Sequence, residues 1–318
     1  MRWRRPRPRK PESAPAPEEL LREARRLRLR ARREVSGEFA GAWASAFRGS
    51  GMDFEESRPY HPGDDVRQMD WNATARLREP FVKRFREERG VLLLLLLDVS
   101  GSMGLGSAGT TKALAGARVC ALLAAAASRT RDRVGLVVFD SGVRGVVPPA
   151  GGDAHVFRVL RTAVAEAHRP AGGTALVPAL RVARRLVGRH SVVFILSDFR
   201  GPAADPDPAW LAGIGSLARR HDVVAAALLD PAECELPAVG PARFEDAERP
   251  GAPLAADAGS ARIRARFRAA ALERRRALAR ALEGTGADPL FLRTSDPPIP
   301  ALVRFFRRRP ARVREGAP

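Results

Sequence analysis

Cysteine is nearly missing from this chain: 318 residues hold only Cys120 and Cys234. Two distant thiols, the first inside an Ala/Leu-rich helical pattern, make neither a disulfide framework nor a Cys-based zinc site, and a reducing compartment is the expectation. No apolar stretch approaches the roughly 18 residues that a membrane-spanning helix needs. The start, Met1-Arg2-Trp3-Arg4-Arg5, is basic but leads into Pro-rich sequence, which is not the build of a secretory signal. A soluble cytoplasmic protein is therefore expected, with a peripheral position at the inner membrane face left open by its charge.

Lysine is scarce as well. Lys10, Lys83 and Lys112 stand against a large excess of arginine, and alanine is equally abundant, which reads as GC-rich coding before it reads as a ligand site. The formal net charge of +19 is unevenly spread, with +8 over residues 1–35, +7 over 262–280, +5 over 301–318 and only +1 over 36–261. A solvated basic surface on a nearly neutral body is the first reading. A scaffold that holds nucleic acid or an anionic membrane surface through those basic parts is the alternative.

The most informative stretch is the apolar run Val91 to Leu97, followed at once by Asp98-Val99-Ser100-Gly101-Ser102-Met103. Such a run, bounded by turn residues, fits a strand buried on both faces of a parallel sheet. Asp98, Ser100 and Ser102 alternate with Val99 and Gly101, so a loop leaving the strand converges a carboxylate and two hydroxyls. That set suits Mg²⁺, which keeps several waters and needs few protein oxygens. Downstream, Gly172-Gly173-Thr174 supplies a hydroxyl on a turn, and the run Val192 to Leu196 ends in Ser197-Asp198. Five oxygens thus come from three loops. In this order Asp98, Ser100, Ser102, Thr174 and Asp198 resemble the metal ion-dependent adhesion site of the von Willebrand factor type A domain. The resemblance implies Mg²⁺ or Mn²⁺ held by these residues, with the coordination completed by a Glu or Asp from a protein partner. The opposing reading makes the hydroxyls helix caps and Asp198 a turn residue.

Taken along the chain, residues 1–17 lack apolar periodicity and read as a disordered basic leader. From Glu18, Leu20, Leu21, Ala24, Leu27 and Ala31 recur at helical spacing, giving an amphipathic helix expected to dock on the same chain. Residues 37–57 are punctuated by glycine and read as short strands and turns. The block that follows contains Arg58, Tyr60, Pro62, Gly63, Asp64, Asp65, Arg67, Asp70, Trp71 and Arg76. Set ahead of the Asp-Val-Ser-Gly-Ser-Met strand end, it resembles the signature of the family called domain of unknown function 58, with Met69 where Ile is usual. The resemblance runs from about Leu20 to Arg309. Its implied partner is a MoxR-type AAA+ ATPase, with this chain as an adaptor for clients. Physically, the block's aspartates and arginines form a charge-paired network beside the Pro62-Gly63 turn, with Trp71 as its anchor. Fastening the N-terminal segment to the core is preferred over a partner surface.

After residues 18–90, a core over 91–230 alternates strands with helices, which predicts an α/β fold. A mainly parallel, von Willebrand factor type A-like (Rossmann-like) sheet carries helices on both faces, preceded by a small N-terminal α+β segment. Thr174 is read as the cap of a helix over 175–187. Residues 231–309 extend the same domain through a helix opened by Ser260, a short strand at Phe291-Leu292 and a last helix over 299–309; residues 310–318 are a basic tail.

Catalytic readings are disfavoured. Gly104, Gly106 and Gly109 lead to Thr110-Thr111-Lys112, where a phosphate-binding loop needs Lys before Ser or Thr. Ser100 stands where an aspartyl-phosphate enzyme has its second carboxylate. None of His61, His155, His168, His190 or His221 sits in a motif beside the serines. A Mg²⁺-dependent phosphoesterase is the third and least favoured reading; no enzyme activity, catalytic residue or small-molecule substrate is expected.

Overall fold

In the computed structural model the described residues are 15–35, 37–47, 52–62, 64–65, 69–87, 91–188, 191–200, 206–244 and 254–309. The expectations for residues 1–14 of the leader, for Gly63 and Arg67, and for the tail 310–318 fall outside them. Helix α1 (Pro17–Glu34) starts with a proline in its first turn, carries Glu18 and Glu19 at that end, and has Arg32 and Arg33 at the other. All three choices suit a helix whose N-terminus is the positive end of its dipole. It buries Leu20, Ala24 and Ala31 on the core of the same chain, as expected.

Residues 37–47 correct the expectation of strands and turns, because they form helix α2 (Gly37–Phe47). Phe39, Trp43 and Phe47 recur every four residues, so one helical face is aromatic and buried. Gly37 and Gly41, which looked like punctuation, have only open space where a Cβ would point. Strand β1 (Met52–Pro59) then pairs antiparallel with β2 (Phe81–Glu87), and α3 (Trp71–Leu77) lies in the connection between them.

The central sheet is built from β3 (Leu92–Asp98), β4 (Arg133–Phe139), β5 (Val143–Ala150), β6 (Ser191–Ser197), β7 (Asp222–Leu229) and β10 (Asp288–Arg293). Their order is β10-β7-β6-β3-β4-β5, all parallel except the edge strand β5, which turns back against β4. Alternate leucines of β3 separate onto the two faces, as a two-residue period requires. Leu93, Leu95 and Leu97 meet the layer that includes α4 (Lys112–Arg129), α5 (Asp153–Ala167) and α10 (Pro298–Arg308). Leu94 and Leu96 meet α6 (Leu176–Leu186), α7 (Pro208–Ala218) and the end of α9 (Ala261–Gly284). The short helix α8 (Pro231–Cys234) follows β7, and β8 (Pro241–Phe244) pairs with β9 (Leu254–Asp257) as a separate ribbon.

Two packing details fix the layer that carries the candidate site. A Cβ on Gly116 would lie 2.8 Å from Leu97 Cδ1 and 3.1 Å from Leu228 Cδ1, so glycine lets α4 lie close to the sheet. The ring of Phe306 in α10 meets Phe39, Trp43 and Phe47 edge-on with centroids 5.5–5.6 Å apart, clasping the two ends of the chain together. Cys120 is buried in α4, and burial pushes its thiol up to about 12, away from reactivity. Among the described residues no helix is long and apolar enough to cross a membrane.

Candidate functional site

The carboxyl edge of the sheet gathers Asp98, Ser100, Ser102 and Asp198, and the loop that carries Thr174 runs beside them. Asp98, the last residue of β3, is fully buried; its Oδ1 accepts the Ser100 N–H at 2.9 Å and its Oδ2 accepts the Ser197 hydroxyl at 2.5 Å. The Ser100 and Ser102 hydroxyl oxygens are 3.3 Å apart across the turn Gly101–Gly104. The loop that carries Thr174 is laid along this turn by two backbone bonds, Gly101 N–H to Gly172 O at 2.8 Å and Ala171 N–H to Val99 O at 3.0 Å. Gly172 makes the bend possible with φ at +70°. Thr174 itself does not take the cap position: that residue of α6 is Ala175, whose N–H is bonded to Asp140 O at 2.6 Å.

Asp198 follows β6 directly and is aimed by a strained turn. Phe199, a buried non-glycine residue, sits at φ +55°, and its N–H donates to Ser197 Oγ at 2.9 Å. Ser197 thus bridges the two site strands, giving its proton to Asp98 and accepting from Phe199. Burial and the neighbouring charge of Asp198 push the Asp98 carboxyl up from 3.8 to about 7.

One major participant was not foreseen. Lys112 opens α4 fully buried, with Nζ 2.6 Å from Asp198 Oδ2 and 2.8 Å from Glu233 Oε1. Burial alone lowers an ammonium pKa, but here Asp198 and Glu233 outweigh it and hold Lys112 above its ordinary value. Glu233 in turn closes a capping box on Asp230, whose carboxylate accepts from Ser107, Ala232 N–H and the Thr294 hydroxyl. Burial opposes the charge on Asp230, yet those donors prevail and hold its pKa below the usual carboxylate value. The available signal was a lysine in an Arg-rich chain, set at the head of an apolar helix.

The donor set of two carboxylates and three hydroxyls suits a small hard cation that retains waters. Among the described residues no three His, Cys, Asp or Glu side chains gather as a metal group. His155 bonds Val134 O, His168 meets Glu23, and His221 accepts the Ser191 N–H, all at other places in the fold.

The segment before β3 forms its own unit. Arg58 holds Asp64 through two bonds of 2.9 and 2.7 Å, and this pairing holds the Asp64 carboxyl below its ordinary range. Asp70 caps α3 through the Ala73 N–H at 3.1 Å and accepts the Ser57 hydroxyl at 2.6 Å. These bonds close the hairpin on itself rather than onto the six-stranded sheet. Trp71 corrects the sequence expectation of a buried anchor, since it is 67% exposed. Asp65 is exposed and Arg76 lies on α3, where it borders a cleft with Ser57, Asp70 and Phe81; Tyr60 N–H and Pro80 O tie the hairpin ends, and Pro62 lies in the turn.

The model of the family described as "Protein of unknown function DUF58" matches residues 56–277, which include most of the hairpin, the three site loops and most of α9. The chain belongs to this family. An uncharacterized protein of Mycobacterium tuberculosis is 34% identical to this DUF58 chain over 291 residues, 90% of this chain and 88% of the relative. Another, from Mycobacterium avium, is 34% identical over 164 residues, 51% of this chain and 93% of its own. Among solved structures, BatB from Bacteroides thetaiotaomicron is 17% identical with a TM-score of 0.43, covering 69% of this chain and 98% of that one. Manganese-loaded TRAP from Plasmodium vivax is 20% identical with a TM-score of 0.34, covering 44% and 57%. The DUF58 chain carries an α/β core on a six-stranded, mainly parallel sheet, with its D-x-S-x-S loop at the carboxyl edge of that sheet.

Proposed function

We propose that this DUF58 chain is a non-enzymatic protein-binding module whose grip on its partner depends on a divalent cation, Mg²⁺ or Mn²⁺. The observation that carries the reading is the convergence of Asp98, Ser100 and Ser102 with Asp198 at one edge of the sheet, the two serine hydroxyls 3.3 Å apart. Two carboxylates gathered out of water repel one another, and the Lys112 ammonium on Asp198 offsets only part of that charge. Asp98, Ser100 and Ser102 would bind the ion through the first loop, with Thr174 and Asp198 binding directly or through water. When bound, the ion supplies a Lewis-acidic position for a Glu or Asp of the partner. Lys112 neutralises part of the charge of Asp198 and keeps that side chain fixed.

The family resemblance extends the proposal to an adaptor that works beside a MoxR-type AAA+ ATPase in chaperone-like assembly, in the cytoplasm or at the inner membrane face. Capture of proteins from a cell extract on immobilised chain, with Mg²⁺ or with chelator, tests the module. Specific capture only with Mg²⁺, lost in Asp98→Ala and in the gentler Ser100→Ala/Ser102→Ala variant, is expected. Capture that ignores chelator and both variants would contradict it.

A further inference from the structure

We infer that the cleft beside the ion-binding loops receives an apolar side chain of the partner, so that the recognised segment is an Asp or Glu with a Leu-, Ile- or Met-sized neighbour. This rests on the function proposed above and names the chemistry of its partner. The cleft, about 180 Å³, is lined by the candidate donor Thr174 and by Ser197, which bonds Asp98, so it adjoins the candidate ion site. Its volume is well under the roughly 300–1,000 Å³ of small-molecule pockets, and suits one side chain rather than a free ligand.

The walls are apolar and set in advance. Phe199 and Trp210 are buried with their ring centroids 5.7 Å apart, and Val177 in the first turn of α6 forms the outer wall. Phe199 is held by its bond to Ser197, so the wall and the Asp98 carboxylate are positioned through the same hydroxyl. Asp207, the one acidic residue of the lining, turns its carboxylate to the N-terminus of α7, where it accepts the Ala209 N–H at 2.8 Å. Arg200, 43% exposed along its side chain, stands in the lining with its guanidinium paired to Glu233 Oε1 at 3.5 Å. The ion favours an acidic segment, while the aromatic wall favours an apolar neighbour in that segment.

The test pans a phage-displayed random dodecapeptide library on the full chain in Mg²⁺ and elutes with chelator. Eluted peptides should carry Asp or Glu beside Leu, Ile or Met, and replacing that apolar residue by Gly should weaken binding about tenfold or more. Val177→Phe, which narrows the cleft, should abolish the apolar preference while acidic peptides still elute with chelator. Val177→Ala, which leaves the cleft open, should keep the preference. Acidic peptides without an apolar preference, or a preference that survives in Val177→Phe, would overturn the cleft assignment alone. No chelator-released acidic peptides from the wild type would overturn the metal-dependent reading and the inference with it.

Discussion

The Lys112 ammonium lies 2.6 Å from Asp198 Oδ2, with both side chains shut off from water. An ammonium and a carboxylate in such a place depend on each other, since either left alone is an uncompensated buried charge. Lys112→Met strands both Asp198 and Glu233, and should cost about 3–5 kcal/mol of stability. Denaturant unfolding measures it, and a loss under about 1 kcal/mol would show that the pair is not needed.

Asp98 gives the fold a pH dependence of known sign. Its pKa is raised from 3.8 to about 7 in the folded chain, so the folded state retains a proton that the unfolded chain releases. That contribution to stability is complete below about pH 4 and fades as pH rises through about 7. In chelator, Asp98→Asn should therefore be more stable than wild type at pH 8, by an amount on the order of a few kcal/mol, and the difference should vanish toward pH 4. Midpoints of denaturant unfolding at the two pH values check this; an equal difference at both would contradict it.

Trp43 and Trp71 should behave oppositely. Trp43 is buried against Phe47 with ring centroids 4.5 Å apart, and Trp43→Ala should cost about 3–5 kcal/mol. Trp71, largely exposed on α3, should change stability by no more than about 0.5 kcal/mol when replaced by Ala. A large loss at Trp71 would restore it as an anchor.

Much of this architecture was legible because its signals are local. The β3 run is apolar at every position since both faces of the strand are covered, and the D-x-S-x-S spacing follows directly from the end of that strand. Asp153 and Ala167 bound α5 as the pattern suggested. Residues 37–47 misled because glycines on the open side of a helix look like turn residues when the buried aromatic face is not yet known. Trp71 misled because a seven-residue helix has too few turns to say which side faces inward. Lys112 was read only as a misplaced phosphate-loop lysine. Its partners are 86 and 121 residues away, on loops that meet only after β6 and β7 pair.

The most direct measurement is a calorimetric titration of chelator-treated protein with Mg²⁺ and with Mn²⁺, beside the Asp98→Ala/Asp198→Ala double variant. Circular dichroism should first establish that the variant is folded. One-site binding in the wild type that disappears in the folded variant is the predicted result. Equal binding in both proteins would place the ion elsewhere and contradict the central claim.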